Sequence, residues 1–209
     1  MKTIAILDYG IGNIRSVSNA LTALGAAPEV TNDPARIAAA DGVILPGVGA
    51  FPAGMDLLRQ HDLLPQIQAY VKTGRPFLGI CLGMQLLFDK GLEYGETDGL
   101  GLIPGVVERI PVAPGEGRLP HIAWTTITRN PALPDDMFQG LTDAECRFYF
   151  VHSYTARAVP DTYVTGEIAY LGHPVTASVQ RGNVWGTQFH PEKSGPSGLK
   201  LLTNFISRC

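Results

Sequence analysis

Cysteine, histidine and glutamate can form a nucleophilic triad, and this chain holds all three in two segments of unusual composition. Gly79-Ile80-Cys81-Leu82-Gly83 follows the apolar run Pro76-Phe77-Leu78 and precedes Met84-Gln85-Leu86-Leu87-Phe88. The pattern predicts a strand that turns sharply into a helix, with Cys81 at the corner. Glycines lack a Cβ and tolerate the crowded backbone of such an elbow, which pushes a nucleophile outward. A thiol at a helix N-terminus meets the positive end of the aligned peptide dipoles, which favours thiolate. His190-Pro191-Glu192 supplies a base and a carboxylate to orient it. Pro191 biases His190 toward extended backbone, where residues i and i+2 point to one side. Glu192 is then expected to hold one imidazole nitrogen and leave the other for Cys81.

Each part has a plainer reading. A lone cysteine in an apolar run is commonly a core thiol, and His-Pro-Glu is commonly a surface loop. The strand-turn-helix context of Gly-x-Cys-x-Gly, together with the second segment, favours chemistry. An acyl centre under attack also needs donors for its oxyanion. The N–H of Leu82, directly after the nucleophile, is one. The loop Pro46-Gly47-Val48-Gly49, after the apolar Gly42–Leu45, is the candidate for the second, with an ordinary strand-to-helix turn as the alternative. Asp8-Tyr9-Gly10-Ile11-Gly12-Asn13 lacks the third glycine of a dinucleotide fingerprint, because Arg15 stands there, so a tight turn presenting Asn13 and Arg15 to a partner is preferred. His61, His121, His152 and His173 lack the spacing of helix-borne metal ligands, and neither a metal nor a cofactor is expected. His152-Ser153-Tyr154 ends an aromatic stretch, where loops line the sites of open α/β sheets; structural and functional readings stay open there.

The elements that must position these residues fall into two halves. Thr3–Leu7, Pro28–Thr31, Gly42–Leu45 and Phe77–Ile80 read as buried strands. Between them lie helical patterns: one with Ile14, Val17, Leu21 and Leu24, stopped at Gly25, one near Met55–Arg59 and one over Pro65–Lys72. This alternation predicts an open sheet with helices on both faces. The second half reads as strands at Val106–Ile110, Ile122–Thr128, Arg147–Ser153, Tyr163–Tyr170, Val175–Gln180 and Val184–Gln188. Gly182-Asn183 is a hairpin turn and Gly198–Ser207 a closing helix. Pro111–Gly117 reads as a surface loop. A chain of 209 residues with 45% hydrophobic content supports one domain over 1–209. A net charge of −3 with scattered Lys and Arg excludes a nucleic-acid footprint. No bilayer-length apolar run and no signal pattern is seen, so no membrane role and a cytoplasmic location are expected. Cys81, Cys146 and Cys209 fit neither a disulfide framework nor a zinc site; Cys146 reads as core and Cys209 as tail.

Gly79–Gln85 with His190-Pro191-Glu192 resembles the class I (triad) glutamine amidotransferases. Asp8–Asn13, Leu45–Phe51, Leu119–Ile122, Tyr149–Tyr154 and Gln188–Gly195 are similar to the glutaminase subunits of imidazole glycerol phosphate synthases. The likeness covers essentially the whole chain. It implies a flavodoxin-like α/β sheet with extra antiparallel strands in the C-terminal half. It implies that Cys81 forms a γ-glutamyl thioester with glutamine, that His190 moves protons and that Glu192 orients His190. Gly47, Val48 and Leu82 would serve the oxyanion. Gly49, Gln85, Glu93, His152, Ser153 and Tyr154 would hold glutamine. Ammonia would pass to a (β/α)8-barrel cyclase subunit bound as a heterodimer, with Asn13, Arg15, Trp124 and Lys193 at the interface. The family pattern has Gly-Trp-Asn where this chain has Ala123-Trp124-Thr125. Competing readings are the glutaminase of another synthase, a cysteine hydrolase of similar architecture, and a non-catalytic binding subunit.

Overall fold

The computed structural model describes residues 1–113, 115–133 and 136–209. One sheet carries the site. Its parallel part is formed by β1 (Thr3–Leu7), β2 (Ala27–Thr31), β3 (Gly42–Gly47) and β4 (Phe77–Cys81), in the order β2-β1-β3-β4. The connections are α1 (Ile14–Ala23), α2 (Pro34–Ala39), α3 (Phe51–Gln60) and α4 (Leu63–Lys72). Alternate residues of the strands feed two cores. Ile4, Ile6, Ile44, Leu78 and Ile80 pack on Val17 and Leu21 of α1 and on Leu201, Leu202 and Phe205 of the last helix. Ala5, Leu7, Val43, Leu45 and Phe77 pack on Ile37, Met55, Leu58, Ile67 and Tyr70. Covering both faces explains why these strands read as continuous apolar runs.

The helix after β4 is only α5 (Leu82–Gln85). The chain then makes two short strands, β5 (Lys90–Gly91) and β6 (Thr97–Asp98), followed by β7 (Val106–Arg109), β8 (His121–Thr126) and β9 (Thr128–Arg129). Next come β10 (Arg147–His152), β11 (Tyr154–Arg157), β12 (Val164–Tyr170), β13 (His173–Arg181), β14 (Val184–Thr187) and α6 (Gly195–Arg208). β14 adds parallel to β4, and β13, β12 and β9 continue the large sheet antiparallel. β8 and β10 form a separate two-stranded ribbon, and β11, β7, β5 and β6 a small sheet. The fold is thus an open α/β sheet with helices on both faces and extra antiparallel strands in its C-terminal half. Among the described residues no helix is long and apolar enough to cross a membrane.

Several expectations are corrected. The helix expected over Met84–Phe88 is the single turn of α5, because Leu86, Leu87 and Phe88 are all buried and run into the core as a turn. β3 runs two residues further than expected, so the connection to α3 is only Val48–Ala50. The strand expected over Ile122–Thr128 is two strands, because Ile127 turns inward to bond Cys146 through its N–H (2.8 Å) and the chain changes sheets there. α2 went unread, although its signal is present: Asp33 caps Ala35 N–H at 2.8 Å and Pro34 opens the helix. β5, β6, β9 and β11 are short pairing segments without a period of their own. Within the expected loop 111–117, Pro114 lies outside the described residues. Cys146 is buried in the core as expected.

Candidate active site

The elbow at Cys81 is built by exclusion. Cys81 takes φ 56 and ψ −111, a conformation that a side-chain-bearing residue holds only under local constraint. The constraint is visible at its glycine neighbours. A Cβ on Gly79 would stand 2.6 Å from the Gly83 carbonyl oxygen, and one on Gly83 would fall onto the carbonyl oxygen of Leu45. The first turn of α5 therefore presses directly on β3 and β4. With so short a helix, the peptide dipoles act on the thiol through local N–H groups rather than through a long macrodipole.

His190 reaches the same place from the end of β14. Its backbone is extended (φ −99, ψ 96), but Pro191–Lys193 is a 3₁₀ turn rather than continued strand. The turn, not i and i+2 alternation, swings Glu192 back, so that its Oε1 lies 2.8 Å from His190 Nδ1. Both side chains are sealed from solvent. Asn13 Nδ2 donates to the same Glu192 oxygen at 2.9 Å. The segment is stitched to β10: His190 N–H donates to Tyr149 O (3.0 Å), Ser194 Oγ to His190 O (2.6 Å) and Tyr149 N–H to Ser194 Oγ (3.0 Å).

Burial by itself would lower the His190 pKa, but the Cys81 sulfur and the Glu192 carboxylate outweigh it and raise the pKa to about 9. Nε2 is buried and makes no hydrogen bond of full geometry, so its partner in chemistry is the neighbouring thiol. The raised pKa keeps His190 an imidazolium at neutral pH, beside the Cys81 sulfur. His152 behaves oppositely. Burial, with the neighbouring His121 and His190, lowers its pKa to about 4 against a hydrogen bond to Tyr154 O, so it is neutral at neutral pH.

A cavity of about 220 Å³ opens at the pair, lined by Val48, Gly49, Cys81, Leu82, Gln85, Val151, His152, Ser153, Tyr154 and His190. All of these except Val151 are residues that the sequence singles out for oxyanion, substrate or nucleophile-and-base roles. Gly47 pairs with Cys81 in the β3–β4 ladder but lies behind the wall, with its Cα face against the Tyr9 hydroxyl and Leu82. Glu93 does not line the cavity but stands near Tyr154, which does: burial first and the Glu93 charge second raise the Tyr154 pKa. Glu93 Oε2 accepts the Phe51 N–H at 2.8 Å, satisfying an orphan donor at the start of α3 and so gripping the end of the Val48–Ala50 loop. Arg15, Lys193 and Trp124 are exposed, whereas the Asn13 amide is turned inward to Glu192. Sequence reasoning gave no role to Asn13 at the triad, to Val151, or to Gln188, whose Nε2 lies 3.9 Å from Cys81 Sγ. A larger cavity of about 590 Å³ lies by β9 and β12, where Arg129 is paired with Asp143 at 2.6 Å; none of the candidate residues reaches it.

An open α/β sheet with a Cys-His-Glu group at a strand-to-helix elbow suits an amidohydrolase, and the comparisons give the class. The family model for glutamine amidotransferase class-I matches residues 5–209, and the chain belongs to that family. Among solved structures, a glutamine amidotransferase superposes with a TM-score of 0.72 at 20% identity, covering 98% of each chain. The PurLQS structure from Thermotoga maritima gives 0.69 at 20%, covering 99% of each chain; both speak to the fold. Imidazole glycerol phosphate synthase subunit HisH of Lacticaseibacillus casei is 51% identical over 97% of this chain and 94% of its own length. The HisH subunit of Desulfitobacterium hafniense is 48% identical over 97% and 92%. Such likeness along nearly the whole chain places it with the HisH glutaminase subunits.

Proposed function

We propose that this chain, as a single domain over 1–209, hydrolyses glutamine in the 220 Å³ cavity and delivers ammonia to a cyclase subunit of (β/α)8 form. The observation that supports this most is the sealed Cys81–His190–Glu192 group opening on that cavity. Cys81 sulfur attacks the carboxamide carbon. The C–N bond breaks as His190 Nε2–H protonates the leaving nitrogen, and a γ-glutamyl thioester remains with ammonia released. Neutral His190 then takes a proton from water, whose oxygen displaces the sulfur to give glutamate. Glu192 and Asn13 keep the ring in the tautomer this requires. Gln85, Ser153 and Tyr154 hold the amino-acid end of the substrate, and no metal or cofactor takes part.

Leu82 N–H supplies one oxyanion donor, and the Val48 peptide supplies the second when it turns inward. Support for a turning peptide lies in Gly49, which has φ +103 with open space around it, and in Val48, which is 42% exposed. A missing donor costs about 10²–10³ in rate, so partner binding can gate the enzyme there. The partner's seat is the outer face of the β8–β10 ribbon. Ile122 and Trp124 are 59% and 46% exposed and stand opposite Val151 and Tyr149 in the ladder. Exposed Arg15 and Lys193 flank the site, and a cytoplasmic location suits a working thiol at Cys81.

Glutamate release tests the reading, measured with the chain alone, with the cyclase, and with the cyclase plus its nucleotide ligand, each beside Cys81→Ala. Strong turnover only in the last mixture, lost in the variant, supports it. Turnover indifferent to the cyclase moves the chain to another synthase. A liganded complex with glutamine bound and the Val48 N–H turned away from it would remove the gating step.

A further inference from the structure

Gln188 is fully buried, two residues before His190. Its backbone N–H is taken by Ala177 O at 2.9 Å, and its side chain reaches back under the nucleophile. Nε2 lies 3.9 Å from Cys81 Sγ, and Oε1 accepts from Gln85 Nε2 at 2.9 Å. A carboxamide can present either end to sulfur, and the difference matters. An N–H stabilises thiolate, whereas an oxygen repels it.

The neighbourhood settles which end faces Cys81. Tyr154 O is a backbone carbonyl and can only accept. Gln85 Nε2 stands 3.4 Å from it, so Gln85 turns its NH₂ that way and toward Gln188. Gln188 must then answer with its oxygen, which leaves its NH₂ on the sulfur. The same carbonyl fixes a second branch. His152 Nδ1 donates to Tyr154 O at 2.7 Å, so its Nε2 accepts from His121 Nδ1 (3.4 Å), and His121 Nε2 accepts from Thr125 Oγ1 (3.2 Å). Thr125, where the family pattern has asparagine, is thereby tied into the site.

We propose that Gln188 is a positioning residue whose amide N–H, aimed by the Tyr154 carbonyl through Gln85, holds the Cys81 thiolate. This rests on Cys81 being the nucleophile. The other titratable groups around the sulfur are Tyr9 from the end of β1, His190 with Glu192 from the end of β14, and His152 across the cavity. All are unchanged when only Gln188 is altered.

The test is the pH profile of Cys81 alkylation by iodoacetamide in the full chain, read from the mass of the Cys81 peptide. It is run for the natural chain, Gln188→Met and Gln188→Glu. Methionine keeps the length and removes the donor; glutamate keeps the acceptor for Gln85 and puts oxygen on the sulfur. The expected midpoint rises by about one pH unit in Gln188→Met, a tenfold loss of thiolate below it, and further in Gln188→Glu. With cyclase and ligand, kcat falls about tenfold or more in both variants, and KM holds in Gln188→Glu, which keeps the acceptor that orients Gln85. If one variant fails to fold, the other decides. Midpoints within about 0.3 unit of the natural chain overturn the proposal while leaving Cys81 as nucleophile. No alkylation of Cys81 in the natural chain overturns both.

Discussion

Two glycine-flanked turns meet at the cavity, and they use glycine for opposite reasons. Around Cys81 the glycines are present because there is no space: Cβ atoms at Gly79 and Gly83 would strike backbone carbonyls of the neighbouring turn and strand. Around Val48 the far glycine is present because of conformation: Gly49 has φ +103 and nothing near its missing Cβ. The near end of that loop is crowded, since Gly47 backs onto Tyr9, whose hydroxyl donates to Pro46 O at 2.6 Å. The loop is therefore held at both ends, at Gly47 and at Phe51, and uncrowded at Gly49 between them. Close packing makes the nucleophile's turn rigid, and an uncrowded positive φ leaves the oxyanion turn able to move. A fixed nucleophile beside a movable donor is what a gated hydrolase needs.

The sharpest way to break this contrast is to give each turn a methyl group. Gly83→Ala is expected to lose about 3 kcal/mol or more and to leave little folded protein, read by thermal melting. Gly49→Ala is expected to stay folded, with a penalty of about 1–2 kcal/mol for an L residue at that φ, and to lose about 10²–10³ of the partner-stimulated rate. If Gly83→Ala folds and turns over normally, the elbow is not held by crowding. If Gly49→Ala keeps its stimulated rate, the loop does not work by turning.

Smaller effects test the groups that face the two turns. His190 is raised to about 9, so the imidazolium that protonates leaving ammonia is lost above that pH, and kcat/KM is expected to fall with a limb near 9. The sign for stability follows from the same shift. The raised pKa contributes stability that is fully present below the unfolded value near 6.5 and is lost as pH rises through about 9. Glu192→Gln is expected to move both limbs to lower pH, visible in a rate profile and a melting series. Asn13→Ala removes one of two hydrogen bonds on Glu192 Oε1 and is expected to lower kcat a few-fold, with KM unchanged in steady-state assays.

The parallel half was largely legible because strands covered on both faces are continuous apolar runs and their helices carry a clear period. Cys81 and His190 were legible for a different reason: the constraints on them are local, glycine beside one and proline beside the other. Glu192 was found with the wrong local geometry, because a 3₁₀ turn and an extended chain both bring i+2 near i. The hydrogen bonds of Glu93 and Asn13 were not legible, because their partners, Phe51 N–H and Glu192, lie 42 and 179 residues away. The small sheet of β5, β6, β7 and β11 was only partly seen, since two-residue strands are created by pairing and carry no period.

The amino-acid sequence by itself determined the class of chemistry, the elbow, the α/β order and the His190-Pro191-Glu192 segment that meets it, since each depends on residues close together in the chain. The tertiary structure decided which way the buried amides and imidazoles point. Gln85, Gln188, His152 and His121 each carry both donor and acceptor atoms, and the Tyr154 carbonyl, bonded by Gln85 and His152 and felt through them by Gln188 and His121, breaks that symmetry.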